Sequence, residues 1–213
     1  MRSTDFVALL SLDLAICSLL MQWVARLFPA RVLLMSLGRQ INRRSAGVFA
    51  VALICLWIPA GPSQLPLLGY ARGVTSDLSI TSVMLACLAL RQRLWLRPEP
   101  APRERFWLCA ALMLVAVVMY PTALGWGNWD AYRLGWGSPA LVAGLAFTAL
   151  ASLGAGLKLL PFAVAAGMLA WACNLLESGN LWDYLMYPWL ALLASWQTVA
   201  SAASAWRKRM DDH

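Results

Sequence analysis

In 213 residues the chain is 61% hydrophobic and 13% charged, whereas soluble domains carry roughly 25% charged residues. Its net charge is +7, but the basic residues lie beside apolar segments, so membrane topology and anionic lipid explain them better than nucleic acid does. This composition is typical of an integral membrane protein and leaves no room for a separate soluble catalytic domain.

Seven apolar segments follow one another, each near the ~20 residues that a helix needs to cross a ~30 Å hydrocarbon core. They cover residues 6–25, 45–60, 77–96, 105–124, 139–157, 160–177 and 185–206. We predict an all-α transmembrane bundle of about seven spans, within a range of six to eight, that forms one integral membrane domain over residues 1–213. The segment 45–60 is the shortest and meets Pro59, so we expect it to be tilted, partly buried or re-entrant.

The basic residues predict the orientation, because 14 of the 17 Lys and Arg fall into one set of alternate gaps. That set contains Arg26, Arg31, Arg39, Arg43, Arg44, Arg91, Arg93, Arg97, Arg103, Arg105, Lys158, Arg207, Lys208 and Arg209. The other set contains Arg2, Arg72 and Arg133. Since cytoplasmic loops carry the excess of Lys and Arg, we predict an external N-terminus and a cytoplasmic C-terminus. An even number of spans would break this alternation.

The basic segment 31–44 precedes the second apolar segment. A solvated loop that obeys the positive-inside rule explains it, and the alternative is an amphipathic helix along the cytoplasmic face. In both cases we expect anionic lipid at that face.

Asp13 is the one acidic residue well inside a predicted span. At ~1.5 Å per residue it lies about 10 Å along the helix from Phe6, where the span begins. A charge at that depth is expensive, so Asp13 should face the interior, be protonated or pair with a polar neighbour. Gln197 in the last segment is the candidate partner, and Asn174 is a further intramembrane polar residue. A structural role is favoured over a proton or ion relay.

Small residues recur every four positions in the fifth segment, at Gly144, Thr148, Ser152 and Gly156. Helices in lipid associate through close packing of small residues, so this row predicts a packing face. The face is expected to contact another helix of this chain or a second membrane protein.

The predicted outer loop 121–138 repeats Gly-Trp-Gly around Asp130 and Arg133. We expect an ordered cap at the headgroup level, because glycines permit tight turns and indoles favour the interface. The alternative is a catalytic or binding site with Arg72, Glu177 and Asp183, where guanidinium groups bind phosphate and a carboxylate acts as base.

Other chemistry lacks its motifs, since the chain has one His, no CxxC, and no HExxH, GxSxG or GxxxxGK[ST] pattern. We therefore expect no metal and no cofactor. The five cysteines lie inside apolar segments and are best explained as small buried residues.

The sequence favours a non-catalytic accessory or scaffold subunit of a larger cell-envelope enzyme or transporter, with a protein partner in the membrane. The alternatives are an enzyme acting on lipid-linked phosphate or glycan at the outer face, and a small transporter or channel that uses Asp13. The expected location is the plasma membrane, the bacterial inner membrane in particular.

Overall fold

The computed structural model describes residues 3–27, 43–61, 64–95 and 97–211. These residues form helices α1 Ser3–Leu27, α2 Arg43–Cys55, α3 Leu67–Thr75, α4 Ile80–Leu94, α5 Pro102–Ala123, α6 Pro139–Gly154, α7 Leu159–Ala172, α8 Leu181–Leu185 and α9 Pro188–Asp211. A short 3₁₀ helix, η1, covers Ala131–Gly135, and strands β1 Pro59–Ala60 and β2 Leu65–Pro66 pair antiparallel. The predicted basic segment 31–44 lies, apart from its last two residues, outside the described part of the chain.

The fold is mostly helical, which confirms the all-α class, and each predicted apolar segment overlaps one helix of 13 to 25 residues. Within the described residues, two stretches are long and apolar enough to cross a membrane, Thr4–Trp23 and Pro102–Ala123. Shorter apolar helices cover Ala46–Cys55, Pro139–Gly154 and Leu159–Ala172. Membrane association is therefore supported by two helices, and the seven-span arrangement stays a prediction.

The segment 45–60 forms a shorter helix than its apolar length indicates. Helix α2 has 13 residues, which is about 20 Å at ~1.5 Å per residue and less than a ~30 Å hydrocarbon core. The chain then turns through the β1–β2 hairpin into α3, where Leu68 N donates to Leu56 O at 3.2 Å. The second predicted span is thus a helix followed by a return of the chain.

The chain divides into two compact units, residues 1–78 with 82–99 and residues 79–81 with 100–213. In the first unit α1 contacts α2 and α3. Cys17 and Met21 of α1 form a buried cluster with Leu90 and Leu94 of α4, against which apolar side chains of α2 pack. This cluster is the core of the first unit.

In the second unit α5 contacts α9, and α7 contacts α5, α6 and α8. The buried positions of α9 include Ala191, Ala194 and Thr198, which fall on one helical face. Small side chains of this kind let two helices approach closely. The α5–α9 pair is therefore the main helix packing of this unit.

Helices α6 and α7 each end in the same type of hydrogen-bonded turn. After α6, Leu157 N donates to Ser152 O and Gly156 N donates to Leu153 O, both at 2.9 Å, with φ at Gly156 of +77°. After α7, Asn174 takes the corresponding left-handed position at φ +49°. This is the Schellman arrangement, which favours Gly or Asn at that position.

Candidate functional site

The most polar ordered feature of the second unit is formed by residues 128–138 and 174–184, which we call the cap. Asp130 begins η1, and its Oδ1 accepts from Tyr132 N at 2.9 Å. Ala131 N donates to Thr122 Oγ1 of α5 at 3.2 Å. These bonds connect the first cap loop to the end of α5.

Asn180 joins the two loops of the cap and is fully buried. Its Nδ2 donates to Tyr132 O at 3.0 Å, and its Oδ1 accepts from Trp182 N at 2.9 Å. The Trp182 indole donates to Ala131 O at 3.0 Å. A Cβ added to Gly135 would collide with the Asn180 amide and the Trp182 ring, so only glycine fits there.

Asp183 accepts three hydrogen bonds inside the cap. Both carboxylate oxygens accept from Tyr132 Oη at 3.0 Å, and Oδ2 also accepts from Ser178 Oγ at 2.5 Å. Burial, the Asp183 charge and the hydrogen bond between Tyr132 and Asp183 raise the pKa of Tyr132 to about 12. Tyr184 is buried beside them, donates to Ser178 O at 3.0 Å, and has a pKa raised chiefly by burial.

The predicted catalytic candidates therefore lie in different settings. Asp130 and Asp183 belong to the cap, where their oxygens accept from backbone and side-chain donors. Arg133 and Glu177 also belong to the cap, where they are exposed. Arg72 belongs to the first unit.

Arg72 links two acidic side chains of the first unit. Its Nη1 lies 2.9 Å from Asp5 Oδ1 of α1, and its Nε lies 2.8 Å from Asp77 Oδ1. Both contacts are ion pairs between partly buried side chains. Arg72 thus connects α1, the end of α3 and the chain leading into α4.

Asp13 is fully buried in the first unit and accepts two hydrogen bonds. Trp57 Nε1 donates to Oδ2 at 2.8 Å, and Cys17 Sγ donates to Oδ1 at 3.4 Å. The suggested partner Gln197 instead accepts from Cys109 Sγ at 3.3 Å. Sequence reasoning did not identify Trp57 as the partner of Asp13.

Asn174 does not lie within a helix. The sequence placed it in a span that reaches residue 177, but α7 ends at Ala172 and Asn174 is exposed in the turn that follows. Its left-handed backbone ends the helix, which is the physical reason for the difference.

The predicted packing row on α6 divides into two parts. Ser152 is the only buried residue of α6, whereas Gly144 and Thr148 are exposed and nothing in the described chain lies within 4 Å of a Cβ added to Gly144. Gly156 lies beyond the helix in the turn described above. Packing against the described residues therefore does not account for Gly144 and Thr148.

The start of α5 contacts both ends of the α6–α7 turn. Arg103 Nη2 donates to Ala155 O at 3.0 Å, and the Glu104 carboxylate accepts from Lys158 N and Leu159 N at 2.9 Å. A cation at a helix C-terminus and an anion at a helix N-terminus complement the helix dipoles. These contacts fix the α6–α7 turn against α5.

The outer surface of the cap carries indoles. Trp129 and Trp136 of the cap are exposed, and so is Trp126 just before it. In the part of the chain that the structure describes, no three His, Cys, Asp or Glu side chains come together as a metal site requires. Comparison with protein-family models, with curated proteins and with solved structures found no match to this chain.

Proposed function

We propose that the chain is a multi-pass integral membrane protein that acts as a non-catalytic accessory subunit of a larger membrane complex. Membrane integration is supported by the low burial of α5. Only 22% of its apolar stretch is buried inside the structure. The core helix of a soluble protein is mostly buried, whereas a helix that faces lipid leaves apolar side chains uncovered. The apolar window of α1 is 39% buried, which supports the same proposal.

The proposed topology has seven membrane segments with α1, α2, α4, α5, α6, α7 and α9 at their centres. The alternation of basic residues supports it, with the cap outside and the α6–α7 turn in the cytoplasm. Helices α2, α6 and α7 have 13, 16 and 14 residues, so each is shorter than the ~20 residues of a full span. In this proposal the residues that flank these three helices complete each crossing.

The non-catalytic part rests on how the polar side chains are used. Asp183 accepts from Tyr132 and Ser178, and Asp130 caps η1. Asp13 accepts from the Trp57 indole, an arrangement that fixes helix register. A proton or ion relay would need further polar groups in line with this pair. The use of these side chains in internal hydrogen bonds supports a scaffold role.

The partner is proposed to cover α6. This helix buries Ser152 alone, while Gly144 and Thr148 are exposed on one face and the apolar Phe147, Leu150 and Leu153 are exposed at other positions around the helix. A small residue permits close approach of a second helix in lipid, where packing drives association. The proposed occupant is therefore a transmembrane helix of a larger membrane protein.

The test is extraction of tagged protein from its native membrane in mild detergent, followed by mass spectrometry of the proteins that remain bound. We expect one larger membrane protein in stoichiometric amount, and we expect Gly144→Leu to release it. Ala143→Leu, at an exposed position on the neighbouring face of α6, is the matched control and should retain it. A chain that purifies without a partner, or equal retention by both variants, would overturn the proposal.

A further inference from the structure

Helix α3 directs its one charged residue inward and apolar residues outward. Arg72 is partly buried and forms ion pairs with Asp5 and Asp77. The exposed residues of α3 are uncharged, and they are Leu67, Tyr70, Gly73 and Val74. A surface helix in water has the reverse arrangement, with charged residues outward and apolar residues toward the core. The arrangement of α3 therefore suits apolar surroundings.

Three of the exposed residues, Leu67, Tyr70 and Val74, form what we call the α3 apolar face. They are three and four positions apart, so they lie on one side of the helix. The Val74 side chain is 88% exposed, whereas Leu68 on the other side is fully buried. The α3 apolar face thus points away from the core of the first unit.

Contacts with the rest of the first unit fix the direction of this face. The Arg72 ion pairs hold one side of α3, and Leu68 N donates to Leu56 O at 3.2 Å. Tyr70 Oη donates to Ala60 O of strand β1 at 3.0 Å. Rotation of α3 about its axis would break these contacts, so the outward direction of the apolar face is part of the fold.

The ion pairs also fix the level of α3 along α1. Asp5 lies in the first turn of α1, at the start of the apolar stretch Thr4–Trp23 that is long enough to cross a membrane. Toward the opposite end of α1, Arg93 Nη1 of α4 donates to Met21 O at 3.1 Å. Helix α3 is therefore level with the beginning of that stretch. With nine residues, about 14 Å at ~1.5 Å per residue, α3 is too short to cross a ~30 Å hydrocarbon core.

We propose that the α3 apolar face lies in the outer leaflet of the membrane, at the boundary between headgroups and acyl chains. The inference rests on the membrane integration proposed above, which puts the start of α1 and the α2–α4 connection outside. Tyr70 suits that depth, because its ring is apolar and its hydroxyl is polar. Since the face carries no charge and Arg72 is paired with carboxylates, the contact is with acyl chains and needs no anionic lipid.

The test is spin labelling of the full chain in vesicles of dioleoylphosphatidylcholine, with single cysteines in a background without the five native ones. Electron paramagnetic resonance measures how often the label collides with oxygen, which concentrates among acyl chains, and with a water-soluble nickel chelate. We expect a label at Val74→Cys to collide more often with oxygen, at a depth of about 5–10 Å. Because the Val74 side chain is so exposed, the substitution removes little packing. Ala101→Cys, exposed in the connector before α5, is the control in water and should collide more often with the chelate.

Leu114→Cys, at an exposed position in the middle of α5, separates this inference from membrane integration. A Leu114→Cys label that collides mainly with the chelate would refute integration itself. A Leu114→Cys label among acyl chains together with a Val74→Cys label in water would overturn the inference about α3 and leave integration standing. A Val74→Cys label that neither reagent reaches would also overturn it, because a second copy of the chain would then cover α3.

Discussion

The Trp57 indole satisfies a fully buried carboxylate at Asp13, and the two residues are 44 positions apart in the chain. Trp57→Phe keeps an aromatic ring there but removes the donor. Since an unsatisfied buried acceptor costs about 1–3 kcal/mol, we expect a loss of stability of that size, measured by unfolding in detergent. Trp23→Phe changes an indole on α1 that is 63% exposed, and it should leave the unfolding midpoint unchanged.

Asp13→Asn distinguishes the scaffold from the transporter. The amide oxygen of Asn still accepts from Trp57, so the scaffold account expects the variant to fold and to retain its partner protein. A measurable ion or proton flux in proteoliposomes that this variant abolishes would instead support the transporter.

Tyr132 is expected to titrate late. Burial, the Asp183 charge and the Asp183 hydrogen bond raise its pKa from 10 to about 12. The raised pKa means that the fold stabilises the protonated phenol, so this stabilisation is complete below about pH 10 and is lost as the pH rises through about 12. The difference between absorbance titrations of the unaltered chain and Tyr132→Phe measures this pKa.

Asp183→Asn is the companion variant in that titration. It removes the charge beside the phenol, so the pKa of Tyr132 should fall toward 10. An unchanged late titration in Asp183→Asn would show that the carboxylate does not interact with Tyr132.

At this scale the sequence indicated which residues matter more readily than what they contact. Asp13 stands out because a carboxylate is costly within an apolar helix. Its partner Trp57 has no local signal, because the contact depends on how α2 returns toward α1. The roles of Asn180 and Ser178 were missed for the same reason, since neither residue differs from an ordinary loop residue in the sequence.

At the scale of elements, we predict opposite effects on stability when alanine replaces each of two helical glycines. A Cβ on Gly167 of α7 would collide with the Leu185 side chain, whereas one on Gly144 of α6 meets nothing within 4 Å. Gly167→Ala should therefore destabilise the chain by about 1–3 kcal/mol through overpacking. Gly144→Ala should stabilise the isolated chain by up to about 1 kcal/mol through helix propensity. Thermal unfolding in one detergent compares them, and equal effects would contradict the packing of α7 on α8.

Glu104 is expected to act as a cap for α7 from a different helix. Its carboxylate accepts from Lys158 N and Leu159 N, so Glu104→Ala should cost about 0.5–2 kcal/mol. Glu104→Gln keeps an acceptor but loses the charge at the helix N-terminus and should cost less. Hydrogen exchange at Lys158 and Leu159 is the local measurement, and unchanged exchange in Glu104→Ala would contradict the contact.

The long helices were predictable and their ends were not. A run of apolar residues is a signal in composition, so every predicted segment contains a helix. Helix ends depend on single residues, as when Asn174 takes a left-handed conformation and ends α7 earlier than the apolar run indicates. The short elements α3, α8 and η1 were missed because they are held by neighbouring elements rather than by their own periodicity.

At the scale of the whole molecule, the account predicts that α6 faces a partner and that polar residues hold the chain together. Composition alone predicted a membrane protein, because few residues are charged, and two long apolar helices support membrane association. What the small-residue face contacts was not predictable, since a row of small residues has the same sequence whether it packs against its own chain or against another protein.

The measurement that tests membrane integration and orientation most directly is labelling of single cysteines with a membrane-impermeant maleimide in intact cells. Asn128→Cys lies in the cap and Ala155→Cys lies in the α6–α7 turn, both exposed, in a background without the five native cysteines. The account predicts that Asn128→Cys is labelled in intact cells and that Ala155→Cys is labelled only after permeabilisation. Labelling of both positions from the same side, or recovery of the chain in the soluble fraction, would contradict it.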